Sequence, residues 1–113
     1  MKHPEIKFDF DDVSREDELE IKTRVNASYH YLLNLCAESL EEFFEDWNDV
    51  PATQEELKKF HTSLFISRVT VNSDDKGKVY TIYVDLGEYF GGHYAEGIAM
   101  EDDFSDIEFS LAG

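Results

Sequence analysis

The sequence predicts an α+β domain in which an antiparallel meander of three to four strands is packed on one face by two or three helices. In the first half, apolar residues recur at steps of three and four, as in amphipathic helices. From residue 65 they alternate with polar residues, which is typical of half-buried strands. A chain of 113 residues suits one core, so we expect a single domain spanning 1–113. We expect 1–64 to be mainly helical after a short N-terminal strand, and 65–113 to form the sheet.

The longest helical pattern runs from residue 28 to 49. Its apolar stripe has the breadth of a core-facing helix, and it consists of Leu32, Leu33, Cys36, Leu40, Phe43, Phe44 and Trp47. Pro51 ends the helix, because the residue before a proline avoids the helical conformation. Ser14 offers the N-cap of an earlier helix. Whether residues 14–25 and 28–47 form one helix or two stays open.

The other elements follow from shorter patterns. Thr53 and Glu56 have capping-box spacing, which predicts a second helix of roughly three turns. Gly77 closes a hairpin loop over 73–77, where a positive φ is expected. Alternation of apolar and polar residues predicts five strands. The first contains Ile6, Phe8 and Phe10, and the second has Phe65, Val69 and Val71 on one face. The third has Tyr80, Ile82, Val84 and Leu86 on one face, the fourth covers 94–100, and the last contains Ile107, Phe109 and Leu111.

The net charge of −16 limits the classes of partner. Nucleic acids and anionic membranes are bound through Lys and Arg, so neither is expected as a partner, whereas a basic protein is. Residues 79–113 contain eight acidic residues and no Lys or Arg. The start of the chain has no apolar leader segment and no stretch is long enough to span a membrane, so we expect a cytoplasmic protein. Cys36, the single cysteine, is expected to be a small buried hydrophobe.

Acidic residues at helical spacing are the first candidate site. Like charges at this spacing destabilise a helix by about 0.2–0.5 kcal/mol per pair, and the helix dipole disfavours them near the C-terminus. Because the acidic residues of this row destabilise the helix that carries them, they suggest a function other than helix stability. We expect that function to be docking onto a basic groove of a partner protein. A solvated face without function is the alternative. The row consists of Glu38, Glu41, Glu42, Glu45 and Asp49.

The loop over residues 87–94 is the second candidate, because it combines glycines with aromatic residues. If they are exposed, Tyr89, Phe90 and His93 would anchor a protein partner. The alternative is a wide turn whose aromatic rings pack under the edge of the sheet. A catalytic His93 assisted by Glu88 or Asp85 is the weakest hypothesis, since no triad or metal partner is evident.

Two carboxylate clusters could bind a divalent cation, but neither has the spacing of an EF-hand loop. The histidines at 3, 30 and 61 have no metal-ligand spacing. Nucleotide-binding and hydrolase motifs are lacking as well. We therefore expect no cofactor, no metal and no enzyme activity. The clusters are Asp9, Asp11 and Asp12, and Glu101, Asp102, Asp103 and Asp106.

Two segments of the last 30 or so residues carry a resemblance: DLGEYFGGH at 85–93 and IEFSLAG at 107–113. They resemble the C-terminal part of small acidic bacterial domains of unknown function, some of which are similar to immunity proteins encoded beside toxins. The resemblance implies binding and blocking of a toxin domain, and it brings no catalytic residues. Together with the acidic row, it leads us to expect an inhibitor that masks a cationic toxin, such as a nuclease, as a monomer or weak homodimer. The alternative is a small structural or ligand-binding domain that is acidic only for solubility.

Overall fold

The computed structural model describes residues 5–112 and has the α+β architecture that the sequence predicts, a helical layer packed on a five-stranded mixed sheet. We number the elements in chain order. They are β1 (Lys7–Asp11), α1 (Arg15–Ala27), α2 (Tyr29–Leu40), a 3-10 turn (Glu41–Phe43), α3 (Phe44–Asn48), α4 (Gln54–Ser63), β2 (Phe65–Asp74), β3 (Gly77–Asp85), a second 3-10 turn (Phe90–Gly92), β4 (Tyr94–Ala99) and β5 (Glu108–Ala112).

The strands lie in the order β1-β2-β3-β4-β5. Strands β2 to β5 form the predicted antiparallel meander, whereas β1 pairs in parallel with β2 and adds a fifth strand. A parallel neighbour needs a long crossover, which the helices between β1 and β2 provide. Phe8 and Phe10 pair with Val69 and Val71, so the apolar sides of both strands face the helices. The prediction of a purely antiparallel sheet was therefore incomplete.

The core lies between the helices and one face of the sheet. The predicted apolar face of β3 is confirmed, because Tyr80, Ile82, Val84 and the following Leu86 are all buried. On β4 the small residues Ala95 and Ala99 are buried beside them. The opposite face of the sheet is covered by no described element and carries mostly polar side chains.

Strand β2 departs from the predicted alternation. The register with β3 shifts between Ile66 and Arg68, which marks a β-bulge at Ser67. The extra residue lets Ile66 share the buried face with Val69, whereas Phe65 is only half-buried. The prediction that Phe65 lies on the same face as Val69 was wrong, because strict alternation does not hold across a bulge.

The predicted helix over 28–49 is separate from α1 and is interrupted once, after Leu40. Ser28 separates α1 from α2, so residues 14–25 and 28–47 belong to different helices. After Leu40 the chain passes through the 3-10 turn, whose three residues per turn change the direction of the side chains that follow. Phe44 is fully buried, but Phe43 and Trp47 are 42% and 48% exposed. Placing Phe43 and Trp47 in the core was therefore wrong.

The predicted caps and the hairpin are confirmed, but the turn comprises only residues 75–76 and not the predicted 73–77. The Ser14 hydroxyl accepts the Asp17 amide at 3.2 Å, and the Thr53 hydroxyl accepts the Glu56 amide at 3.1 Å. Gly77 has a φ of 122°, and Asp74 pairs with Gly77 across a two-residue turn. These local signals fix where α1 and α4 begin and where β3 starts.

Candidate functional site

The five carboxylates of the predicted acidic row do not share one straight helical face, because the helix is interrupted at Leu40. Glu41 Oε1 lies 2.6 Å from His61 Nε2 on α4, and Glu45 Oε1 accepts the Ala52 amide at 3.0 Å. Asp49 follows α3 in the left-handed region at φ 54°. Glu38, Glu42 and Glu45 are nevertheless exposed, so part of the acidic surface is free to meet a partner.

The two loop aromatics lie in the core. Phe90 is fully buried and Tyr89 is 9% exposed, and their rings lie 6.4 and 5.6 Å from the ring of Phe44. The prediction of exposed anchors was wrong for both, because their rings are buried against Phe44 of α3 and Phe60 of α4. Phe90 takes a φ of 60° and donates its amide N–H to Asn48 Oδ1, which fixes the loop against α3. Burial also raises the pKa of the Tyr89 hydroxyl.

His93 has a different environment from the two loop aromatics. It is half-buried, and its ring meets the ring of Trp47 edge-on at 5.2 Å. The ring of Trp47 also lies 6.5 Å from the ring of Phe90, so two residues of the loop pack against the indole. The loop therefore packs against Trp47 and keeps Tyr89 and Phe90 inside the fold, whereas Tyr94 at its end is exposed.

A groove of about 690 Å³ lies between the chain segment at residues 39–47 and strand β5. Phe43 and Trp47 form its helical wall and are among the large apolar side chains that the described chain exposes. Phe109 and Leu111 form the sheet side. We call this feature the β5 groove, and it is lined by Ser39, Leu40, Glu42, Phe43, Trp47, Ile107, Glu108, Phe109, Ser110 and Leu111.

Gly97 on β4 determines the floor of the β5 groove. It pairs with Phe109, and a Cβ atom built on Gly97 would lie 2.4 Å from the Phe109 ring. The missing side chain therefore lets the ring lie flat against the backbone of β4. This close approach holds Phe109 half-buried below the opening of the groove.

The charged residues that line the β5 groove are all acidic. Among the described residues, its lining includes Glu42 and Glu108, both exposed, and no basic residue. Like the rest of residues 79–113, β5 contains no Lys or Arg. An apolar floor with an acidic rim suits a ligand that is both apolar and basic.

Sequence reasoning missed this groove because it placed Phe43 and Trp47 in the core. The only local sign of ambiguity is the pair Phe43-Phe44, since successive helical residues differ in direction by about 100° and both cannot face the core centre. No local pattern says which of the two is buried. That choice depends on the 3-10 turn after Leu40.

A second hollow, of about 600 Å³, lies on the uncovered face of the sheet. The rings of Tyr83 and Tyr94 lie 5.8 Å apart there. Its charges are mixed, since Arg68 pairs with Asp9 at 3.4 Å and the Asp85 carboxylate accepts the Gly87 amide at 2.7 Å. The lining consists of Lys7, Ser67, Arg68, Tyr83, Asp85, Gly87, Gly92, His93 and Tyr94.

The acidic cluster at 101–106 is used for internal hydrogen bonds. Asp102 accepts from the Tyr80 hydroxyl, which lowers the pKa of its carboxyl group. Asp106 accepts the Glu101 and Met100 amides at 3.0 and 2.9 Å, and these bonds lower its pKa. Within residues 5–112, no group of three His, Cys, Asp or Glu residues is placed to hold a metal ion. The histidine at position 3 lies outside the described residues.

Cys36 is fully buried, as predicted, and burial raises the pKa of its thiol to about 12. A thiol with this pKa is protonated at neutral pH and is a poor nucleophile. In the part of the chain that the structure describes, no helix combines the length and the apolar character needed to cross a bilayer.

Comparisons with known proteins provide no family for this chain. No protein-family model, no curated protein and no solved structure matches it. Its function is therefore argued from the surfaces described above.

Proposed function

We propose that the protein is a non-enzymatic binding protein that neutralises a cationic toxin domain, such as a nuclease, by covering the groove in which the toxin binds its substrate. The observation that carries the proposal is the β5 groove, where exposed Phe43 and Trp47 stand beside Glu42, and where Glu108 lies on the other face of the same edge strand. Aromatic side chains provide the strongest single contacts in protein interfaces. Surrounding carboxylates would select a basic surface over an acidic one.

The charge of the whole chain supports the same partner. A protein of net charge −16 attracts a basic domain over distances near the Debye length, which raises the association rate at low salt. A nuclease groove must attract phosphate and is therefore basic. Glu38, Glu42, Glu45 and Asp49 are the exposed acids of the predicted row, and Phe43 and Trp47 take the anchoring role first assigned to Tyr89 and Phe90.

The test is capture followed by inhibition. The purified protein is immobilised and exposed to lysate of its source cell at about 50 mM NaCl, and retained proteins are eluted with salt and identified by mass spectrometry. We expect a basic protein, and we expect its purified form to lose its toxic or nuclease activity when mixed with this chain. Capture without inhibition, or capture of acidic proteins only, would contradict the proposal.

Charge-reversal variants provide the matched control. Glu38→Lys with Glu42→Lys alters the groove-lining Glu42 and the exposed Glu38 of α2, whereas Glu16→Lys with Asp75→Lys alters exposed acids on α1 and in the β2–β3 turn. Both pairs change the net charge equally. We expect the first pair to weaken capture by about 10-fold or more and the second pair to reduce only the association rate slightly. Equal effects of the two pairs would mean that overall charge, not this surface, holds the partner.

A second candidate function, binding of a small molecule, is favoured by one observation. The hollow on the uncovered sheet face brings Lys7, Arg68 and the rings of Tyr83 and Tyr94 together. Such a set would suit a small anionic aromatic compound. Its test is a thermal-shift screen of aromatic carboxylates against wild type and Arg68→Gln, and stabilisation of wild type alone would support this function.

A further inference from the structure

Strand β5 lies at an edge of the sheet, and among residues 5–112 no strand pairs with its outer side. It hydrogen-bonds to β4 on one side, and no strand of the described chain lies on the other. Its sequence, Glu-Phe-Ser-Leu-Ala, has neither the lysine nor the proline with which edge strands commonly prevent further pairing. The backbone groups on that side therefore offer a template for another strand.

The β5 groove lies on the helical side of that edge. Phe43 in the 3-10 turn and Trp47 on α3 line the groove together with Phe109 and Leu111 on the strand. A sixth strand beside β5 would place every second side chain on the helix-covered face, next to these four residues. Its remaining side chains would point to the uncovered face, beside Glu108 and Ser110, which pair there with Ile98 and Glu96.

The two faces prescribe a pattern for the incoming strand. Positions on the groove face meet an apolar wall and floor, so they suit Val, Ile or Leu. Positions on the uncovered face meet Glu108, so they suit Lys or Arg, because opposite charges stabilise cross-strand pairs. The strand that fits thus alternates apolar and basic residues.

We propose that the partner binds by adding such a strand, with alternating apolar and basic residues, to the free edge of β5, with its apolar side chains in the β5 groove. This inference deepens the proposed function and rests on it. Charge decides between a basic partner and a second copy of this chain. Two copies, each of charge −16, would bring Glu108 of both chains to the same edge, which disfavours self-pairing.

The probe is a capped peptide of about nine residues that alternates Val and Lys, and the reporter is Trp47, the single tryptophan of the chain. We expect a saturable change in Trp47 fluorescence and increased protection of the amides at 108–112 from hydrogen exchange. A peptide alternating Val and Glu should bind at least about 10-fold more weakly. Absence of any fluorescence change with the lysine peptide at about 1 mM would overturn the proposal.

N-methylated peptides test the backbone pairing itself. One peptide carries N-methyl groups on all valines and another on all lysines, so each blocks the amides along one edge of the strand. A strand pairs with β5 through one edge only, so we expect one of the two to bind like the parent and the other to lose affinity by about 10-fold or more. Equal binding of both and the parent would show docking by side chains alone and overturn strand addition.

Protein variants separate this inference from the proposed function. Phe43→Ala should weaken the lysine peptide by about 10-fold, whereas Leu19→Ala, at a 62% exposed position of α1, should leave it unchanged. If strand addition fails while a captured basic protein still depends on Phe43, the function stands and the binding mode is wrong. If the peptides behave as expected while no basic protein is captured, the groove binds strands but the inhibitory function is wrong.

Discussion

At the scale of single residues, Gly97 determines the shape of the groove floor. In Gly97→Ala the new methyl group would lie 2.4 Å from the Phe109 ring, so the ring or the strand must move. We expect a loss of about 1–3 kcal/mol in the free energy of unfolding, as for other overpacked sites. Urea denaturation measures this, with exposed Ser110→Ala on β5 as the control, for which a change within about 0.5 kcal/mol is expected. An unchanged midpoint for Gly97→Ala would contradict the described position of Phe109.

Asp102 provides a pH-dependent test at the same scale. The hydrogen bond from Tyr80 lowers its pKa below the usual 3.8, and the nearby Arg24 guanidinium, 3.5 Å away, acts in the same direction. A lowered pKa stabilises the fold above the unfolded pKa, and that contribution is lost as the pH falls through the folded pKa. We expect Asp102→Asn to be less stable than wild type at pH 7, and the difference to disappear in acid.

The measurement is the urea midpoint from pH 7 to about pH 2, with Asp75→Asn in the exposed β2–β3 turn as the control. A difference between wild type and Asp102→Asn that persists unchanged below pH 3.8 would show that the ionised carboxylate does not stabilise the fold. Burial and the bond to Asp102 also raise the pKa of Tyr80 to about 12. The hydroxyl of Tyr80 is therefore the donor throughout this range.

At the scale of elements, the 3-10 turn between α2 and α3 decides which of two neighbouring phenylalanines is buried. Phe44 is fully buried and its ring lies 5.4 Å from Phe60 on α4, whereas Phe43 is 42% exposed in the groove. We expect Phe44→Ala to cost about 3–5 kcal/mol of unfolding free energy, as core truncations do. Phe43→Ala should cost less than about 1 kcal/mol. If thermal or urea unfolding showed equal losses of unfolding free energy for the two variants, the result would support the continuous helix that the sequence predicted.

The elements also show what the sequence could and could not predict. Caps, the hairpin turn and the alternation of β3 were predictable, because each depends on residues close together in the chain. The bulge at Ser67 and the break after Leu40 were not predictable, because tertiary packing selects them. The pairing of β1 was missed for the same reason, since its partner β2 lies more than fifty residues further along the chain.

The candidate site likewise has features that depend on nearby residues, which were predictable, and features that depend on tertiary packing, which were not. The sequence showed where acidic residues are concentrated, because composition reveals charge, but it did not show that the break after Leu40 divides the predicted row. It misplaced the aromatic anchors, because burial of Phe90 and exposure of Trp47 depend on contacts between α3 and the loop at 87–93. A groove between segments that are distant in the sequence leaves no pattern of neighbouring residues. It forms only when residues 39–47 pack against β5, so the sequence alone does not reveal it.

At the scale of the whole molecule, the excess of 26 acidic over 10 basic residues opposes compaction. The domain measures 46 × 31 × 22 Å, so at about 0.01 M salt, where the Debye length is roughly 30 Å, most charges in it repel one another. We expect Tm to rise as NaCl increases to about 0.15 M. The Glu16→Lys and Asp75→Lys pair should show a shallower rise. A Tm that falls with salt would mean that attractive ion pairs dominate the electrostatics.

The central claim is that the β5 groove is the surface that holds a basic partner. The most direct measurement is the Kd of the captured partner for wild type, Phe43→Ala and the exposed control Leu19→Ala at about 50 mM NaCl. We predict that Phe43→Ala weakens binding by about 10-fold or more while Leu19→Ala binds like wild type. Equal Kd values for Phe43→Ala and wild type would contradict the claim and place the partner on another face.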